Sequence, residues 1–329
     1  MTTRVLLDAD LPVHITGTVA TVGTFDGVHT GHLDLLARLV DRARQRGLPS
    51  LLVTFDPHPL EFLHPSAAPR LLTTREEKLA VLATTGLDLV AILPFDAALA
   101  ALPAEAFVDQ VLRDRFRMRE LLIGHDHGFG RGREGGVETV RALGARDGFA
   151  VEVVGPVCDA AGLPVSSSRI RLALEAGDLP AATAALGRHY DLAGTVVAGA
   201  GRGRQLGYPT LNVRPGSPRK LLPADGVYAV RVDTGRGRFG GMLNLGGRPT
   251  FGEDERTVEA HLFDAGGDFY GDAVAVAFVA RLRDTQRFAG VDALVAQLAA
   301  DARSARRALT GSAEPDTLKG SMQVPPSTP

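Results

Sequence analysis

His29 and His32 sit in the run Gly23-Thr24-Phe25-Asp26-Gly27-Val28-His29-Thr30-Gly31-His32. Imidazoles can donate N–H bonds to anionic oxygens, and glycine admits close approach of a ligand to the backbone. An apolar stretch, His14 to Val22, precedes the run and reads as a strand. Leu33, Leu35, Leu36, Leu39, Val40 and Ala43 follow it at helical spacing. A glycine-bearing turn from a strand into a helix N-terminus presents amides to an anion, and the helix dipole favours negative charge there. Three readings are open for the histidines. A metal pair lacks the Cys and carboxylate partners that zinc requires. Solvated residues at a helix start need no ligand. A nucleotide-phosphate site accounts for the glycines, the histidines and the strand-to-helix switch together. Neither G-x-G-x-x-G nor G-x-x-x-x-G-K-[ST] matches, so a standard dinucleotide fingerprint and a P-loop are not indicated.

Three further stretches carry groups of similar kind. Thr54-Phe55-Asp56-Pro57-His58-Pro59 follows a short apolar strand, and its prolines stiffen a loop at a strand end, where open parallel sheets bind ligands. A plain structural turn is the other reading. Gly124-His125-Asp126-His127-Gly128-Phe129-Gly130-Arg131-Gly132-Arg133 is a glycine-rich basic loop after another strand; it reads equally as a solvated loop. Ser166-Ser167-Ser168-Arg169-Ile170-Arg171 opens a helical pattern. The serines suit an N-cap. The two arginines oppose the helix dipole, a cost of a few tenths of a kcal/mol that a bound polyphosphate would reverse. Further on, Glu259 interrupts the apolar run Val258 to Phe263, either as an outward strand residue or as a base. Thr210 and Asn212 flank Leu211 after a proline, either as a turn or as hard oxygen ligands.

The elements that must position these groups change character along the chain. Strand and helix alternate up to about residue 187, which predicts an α/β domain with a parallel sheet over 1–187. Thr74-Arg75-Glu76-Glu77 reads as a capping box, and Pro103 to Phe116 as a helix. Beyond residue 188, short β-like runs at Tyr190–Val197, Val227–Val232, Phe239–Leu245, Thr257–Phe263 and Ala273–Val279 are separated by glycine-rich turns. That pattern predicts an all-β barrel over 188–310, closed by an amphipathic helix from Val291 to Leu309. The segment 311–329 is rich in Ser, Pro, Thr and Gly and reads as a disordered tail.

Composition narrows the classes. The chain has 329 residues, 45% of them hydrophobic, which suits two domains with ordinary cores. A net charge of -2 provides no broad basic surface for nucleic acid. The one cysteine, Cys158, rules out an internal disulfide framework and fits a reducing cytoplasm, where it reads as a buried small hydrophobe. No run reaches the roughly 18 apolar residues of a membrane span. The first residues lack a basic segment followed by an apolar one, so export is not expected.

Taken together, residues 15 to 309 resemble the bacterial bifunctional riboflavin kinase/FMN adenylyltransferases, or FAD synthetases. G-x-F-D-G-x-H-x-G-H, T-F-D-P-H-P and the serine-arginine motif resemble, in order, a Rossmann-like nucleotidyltransferase domain of the HxGH superfamily. Gly203-Arg204-Gln205-Leu206-Gly207-Tyr208-Pro209-Thr210-Leu211-Asn212, Pro223 to Tyr228, Asn244 to Phe251 and Val258-Glu259 resemble a riboflavin-kinase barrel. Leu211, His127 and Ser168 stand where the family usually has Ala, Phe and Thr.

The resemblance implies two ATP-dependent reactions, riboflavin to FMN and FMN to FAD. For adenylyl transfer it implies an ATP site of Gly23, Phe25, Asp26, Gly27, His29, Gly31, His32, Ser166, Ser167, Arg169 and Arg171. The flavin end would hold Asp56, Pro57, Pro59, Asp126 and Arg131. For the kinase it implies Glu259 as general base and Thr210 and Asn212 as Mg²⁺ ligands, with Gly199, Gly201, Arg204 and Gly207 over the nucleotide. The implied partners are riboflavin, FMN, FAD and ATP. Nucleic acid, membrane and an obligate protein partner are not indicated. Two other readings are a kinase with an inactive N-terminal domain and a flavin-binding protein without turnover.

Overall fold

The computed structural model describes residues 3–199, 203, 206–247 and 256–311. They fall into two compact units, one up to Ser166 and one from Ser167.

The first unit contains β1 (Arg4–Leu7), β2 (Thr18–Val22), α1 (Thr30–Arg46), β3 (Ser50–Asp56), α2 (Pro59–Leu63), α3 (Arg75–Leu82) and β4 (Leu89–Pro94). It continues through α4 (Ala97–Ala101), α5 (Ala104–Ala106), a π-helix (Phe107–Arg115), β5 (Met118–Gly124), α6 (Val137–Asp147) and β6 (Ala150–Val154). The strands form one six-stranded parallel sheet in the order β1-β4-β3-β2-β5-β6. Both faces are covered, so the central strands are near-continuous apolar runs. Ala20, Val22, Leu51, Val53, Leu121 and Ile123 supply one core; Val19, Leu52, Val90, Ile92 and Leu122 supply the other.

Helix α1 buries Leu35, Leu36, Leu39, Val40 and Ala43, the stripe its spacing predicts, and ends on left-handed Gly47. Arg42 and Arg46, near its C-terminus, both reach the buried Glu120 carboxylate on β5, at 2.5 and 2.7 Å. The sheet order fixes where a ligand can sit. From β2 the chain steps to β3 and β4 on one side, then returns to add β5 and β6 on the other. The crevice at the C-terminal ends of β2 and β5 is the topological switch point, the usual ligand position in open α/β sheets.

Several expectations differ in detail. His14–Gly17 precedes β2 rather than belonging to it, and the four-residue edge strand β1 was not foreseen. The helix expected over 103–116 is mostly a wider coil, in which the Phe116 amide reaches back five residues to Val111 (3.1 Å).

The second unit opens with α7 (Ser167–Glu175) and α8 (Leu179–Leu186). The strands β7 (Tyr190–Val197), β8 (Leu211–Pro215), β9 (Gly226–Thr234), β10 (Gly237–Gly247), β11 (Arg256–Leu262) and β12 (Ala273–Arg283) follow, then α9 (Val291–Gly311). The six strands close into an antiparallel barrel in the order β10-β11-β8-β7-β12-β9. Strand β8 occupies the stretch whose bland reading was a proline turn. The compact-unit boundary lies twenty-one residues before the expected one at 187. Helix α8 packs on β12 and β7, and the Ala224 amide donates to the Leu174 carbonyl of α7 (2.9 Å), so both helices belong with the barrel. Helix α9 runs through Gly311, which corrects the expected tail start by one residue. The rest of the expected tail, 312–329, lies outside the described residues. Arg283 makes a two-point pair with the buried Asp301 of α9 (3.0 and 2.7 Å), and this docks the helix on β12.

Candidate functional site

The turn after β2 is strained. Phe25 and Val28 adopt positive φ, 47° and 39°, besides Gly27 at 84°. A β-branched residue there is a genuine outlier, costing about 1–3 kcal/mol, and such strain concentrates at functional sites. Burial of both side chains, 3% and 0% exposed, offsets it. His29 is the N-cap of α1, and its Nδ1 accepts the His32 amide at 3.4 Å. A neutral His29 therefore carries its hydrogen on Nε2. The His29 and His32 rings stack at 3.7 Å, and Phe25 lies 4.6 Å from His32 on centroids. A Cβ on Gly31 would stand 3.3 Å from the His29 ring, so glycine lets the helix start beneath the stacked pair.

Asp26 is tied to a distant part of the chain. Its carboxylate accepts the amides of Leu72 (3.0 Å) and Thr73 (3.0 Å), and it is 2% exposed. The Thr73 hydroxyl receives the Gly27 amide at 3.0 Å. Asp26 thus anchors the turn to the segment before α3. That segment runs directly into the capping box Thr74–Glu77, which is fully formed. One turn on, Lys78 donates its ammonium to the Thr24 carbonyl at 2.7 Å; the Thr54 hydroxyl donates to the same oxygen at 3.2 Å. Burial lowers the Lys78 pKa, opposed by the charges of Asp26 and Asp56. Sequence reading passed over Lys78, because a lysine in a helix looks like a solvated face.

Two more strand ends adjoin the switch point. Asp56 ends β3 and pairs with Arg75 of α3 at 3.2 Å. Pro57 is exposed; Pro59 is the first residue of α2, whose N-cap is His58. Phe62 of α2 is 43% exposed, an apolar ring beside this loop that composition could not single out. After β5, the side chains of His125, Asp126 and Arg131 are exposed. The loop is pinned at Gly130, where a Cβ would come 2.8 Å from the Ala104 backbone, and the Arg131 amide donates to the Leu102 carbonyl (2.9 Å). The Arg133 side chain lies outside the described set. Ser166 closes the first unit. Ser167, Arg169 and Arg171 lie in α7 of the second unit, Arg169 exposed and Arg171 half-buried.

In the barrel, β11 alternates: Val258, Ala260 and Leu262 are buried, while Glu259 and His261 take the other face. Glu259 lies directly opposite Asn212 of β8 and Asn244 of β10 in the ladders, so the three share a face. Glu259, Asn244, His261 and Thr210 line a cavity of about 1070 Å³, with Leu294 and Leu298 of α9 among its apolar walls. Being outward on the strand and facing a site are therefore compatible for Glu259. His261 Nδ1 lies 2.8 Å from the Pro209 carbonyl, next to Thr210. The Asn212 amide fills the space a Cβ on Gly199 would occupy, 2.0 Å away, so glycine at 199 is required for this packing. Gly207 sits at φ 79°. Gly201, Arg204 and the stretch 248–251 lie outside the described residues.

A parallel sheet with a strained, imidazole-bearing turn at its switch point, followed by a barrel with a carboxylate in a large cavity, defines a two-part nucleotide-using transferase. Residues 12–169 match the FAD synthetase family and residues 186–309 the riboflavin kinase family. The bifunctional riboflavin kinase/FMN adenylyltransferase of Pseudomonas fluorescens is 41% identical over 291 residues, 88% of this chain and 92% of that protein. Its Escherichia coli (strain K12) counterpart is 39% identical over the same shares. A solved structure named macrolide-efflux protein, from Streptococcus pneumoniae, superposes with a TM-score of 0.82 at 32% identity, covering 92% of this chain and 98% of its own. The chain belongs to the family of bifunctional riboflavin kinase/FMN adenylyltransferases. It phosphorylates riboflavin to FMN and adenylylates FMN to FAD with release of pyrophosphate, the barrel part serving the first reaction and the parallel-sheet part the second.

Proposed function

We propose that adenylyl transfer takes place over the Gly23–His32 turn and that phosphorylation takes place in the barrel cavity. The observation that carries the first assignment is the strained turn at the sheet's switch point, which stacks two imidazoles at the start of α1. In this reading an FMN phosphate oxygen attacks the α-phosphorus of ATP, a new P–O bond forms, and the bond to pyrophosphate breaks. Charge grows on the phosphoryl oxygens. His29, through Nε2–H, and His32 donate to them, and the N-terminus of α1 adds its dipole. No covalent intermediate is needed. The loop bearing Asp56, Pro57 and Pro59, with Asp126 and Arg131, takes the FMN; the Phe62 ring gives the isoalloxazine an apolar neighbour. Ser166, Ser167, Arg169 and Arg171 keep a polyphosphate role on the strength of their motif.

In the barrel, Glu259 accepts the proton of the riboflavin 5′-hydroxyl as its oxygen attacks the γ-phosphorus and ADP leaves. The apolar wall of Leu294 and Leu298 suits the flavin rings. Thr210 and Asn212 fit Mg²⁺: both offer hard oxygens, and the Asn212 amide is cradled against Gly199. When bound, the ion would neutralise phosphate charge. Gly199 and Gly207 belong to the segment that meets the nucleotide; Gly201 and Arg204 keep that role from their motif alone. The setting is cytoplasmic, where ATP is supplied and a lone cysteine stays reduced. Small molecules are the partners; nucleic acid, membrane and a second protein are not required.

Single-site variants of the full chain test both halves. His29→Ala is expected to cut FAD formation by about 10²–10³ and spare FMN formation. Glu259→Ala is expected to cut riboflavin phosphorylation by about 10²–10⁴ and spare FAD formation from supplied FMN. Retention of full FAD synthesis by His29→Ala would remove the first assignment.

A further inference from the structure

Two carboxylates stand near the turn proposed to receive a polyphosphate. Asp26 lies within it, and Asp56 ends the neighbouring strand β3. Left uncompensated, they would repel ATP. Asp56 is met by Arg75 and Asp26 by backbone amides. Lys78 is a cation that reaches the turn itself. Its ammonium bonds the Thr24 carbonyl at 2.7 Å and interacts electrostatically with both Asp26 and Asp56. Helix α3 is well placed to hold that ammonium still. Its first turn is locked by the Thr74–Glu77 box, and the two residues before it are locked by Asp26. The Thr24 carbonyl precedes Phe25, the first residue of the strained backbone. A charge-assisted bond at that oxygen restrains the point where the strain begins, and the positive charge lowers the negative potential beside the imidazoles.

We propose that Lys78 is a positioning residue of the adenylyl-transfer site, fixing the turn through the Thr24 carbonyl and screening Asp26 and Asp56 from the incoming triphosphate. The inference rests on the assignment of the Gly23–His32 turn to ATP. Its role is electrostatic as well as mechanical, and this separates it from a helix residue that merely packs. Lys78→Gln keeps a donor without the charge. Lys78→Arg keeps the charge.

The test is steady-state FAD formation from FMN and ATP by the full chain, with riboflavin phosphorylation in the same preparation as an internal control. Lys78→Gln is expected to raise KM for ATP by about tenfold or more, with a smaller fall in kcat. Lys78→Arg is expected to stay within about threefold of the parent in KM, since the charge remains. Riboflavin phosphorylation should be unchanged in both. An unaltered KM for ATP in Lys78→Gln overturns the proposal. So does a failure of arginine to restore what glutamine loses. If Lys78→Gln does not fold, Lys78→Arg decides, and a raised KM for ATP there overturns it. His29→Ala separates the two levels. Full activity in that variant refutes the turn assignment itself. An inactive His29→Ala beside an unaffected Lys78→Gln removes only the Lys78 inference.

Discussion

Asp26 and Lys78 show how far residue types can be read without coordinates. The histidines, the glycines and Glu259 stood out because their types are uncommon where they fall: imidazoles in a strand-to-helix turn, a carboxylate in an apolar strand. Asp26 stood out for the same reason, yet its carboxylate faces amides forty-six residues downstream. No local pattern reports such a partner. Asp26→Ala would strand the buried Leu72 and Thr73 amides, and we expect a loss of about 2–4 kcal/mol in the first unit, measured by denaturant unfolding. Lys78 carries a pH signature. Burial lowers its pKa from the ordinary lysine value, and the carboxylates of Asp26 and Asp56 face it and resist that shift. The ammonium is charged below its folded pKa and neutral above it. Its contribution to ATP binding is therefore present at lower pH and lost as pH rises through that value. KM for ATP in FAD formation should rise on the alkaline side earlier than an unperturbed lysine would allow. In Lys78→Arg that rise should move to higher pH; KM profiles of the two chains check it.

Elements were legible where burial is two-sided or strictly periodic. The central strands β2 to β5 and helix α1 belong to that class, since each is a run or stripe of apolar residues. Strand β8 was not legible. It has five residues, including Asn212, Arg214 and Pro215, and exists because β7 and β11 flank it. Edge strand β1, mostly exposed, is similar. The packing of β8 nonetheless has a sharp local requirement. Gly199→Ala would drive a methyl group into the Asn212 amide. We expect riboflavin phosphorylation to fall about tenfold or more, because small misplacements of reacting groups are costly, while FAD formation from FMN is untouched. Parallel assays of both reactions measure this. Glu120→Gln should lower the thermal midpoint of the first unit, since α1 loses the carboxylate that Arg42 and Arg46 share.

For the whole molecule, the alternation that changes near residue 188 revealed two kinds of architecture; the riboflavin kinase match begins at residue 186, whereas the compact unit begins at Ser167. Helices α7 and α8 look like a continuation of the α/β pattern and pack with the barrel, a fact that only long-range contacts reveal. A fragment starting at Ser167 should therefore unfold at a higher temperature than one starting at residue 188, and calorimetry of the two would show it. The sheet order also bears on how the chain is made. Strand β2 lies in the middle of its sheet, yet one of its two neighbours, β5, is contributed about a hundred residues later. On the ribosome, the glycine-histidine turn is synthesised early. Its anchors at 72–78 emerge some fifty residues later, and the second flank of its strand later still. Adenylyl-transfer competence is thus a late event of translation, and a polypeptide arrested before Met118 would carry the glycine-histidine turn on a strand with one flank still missing.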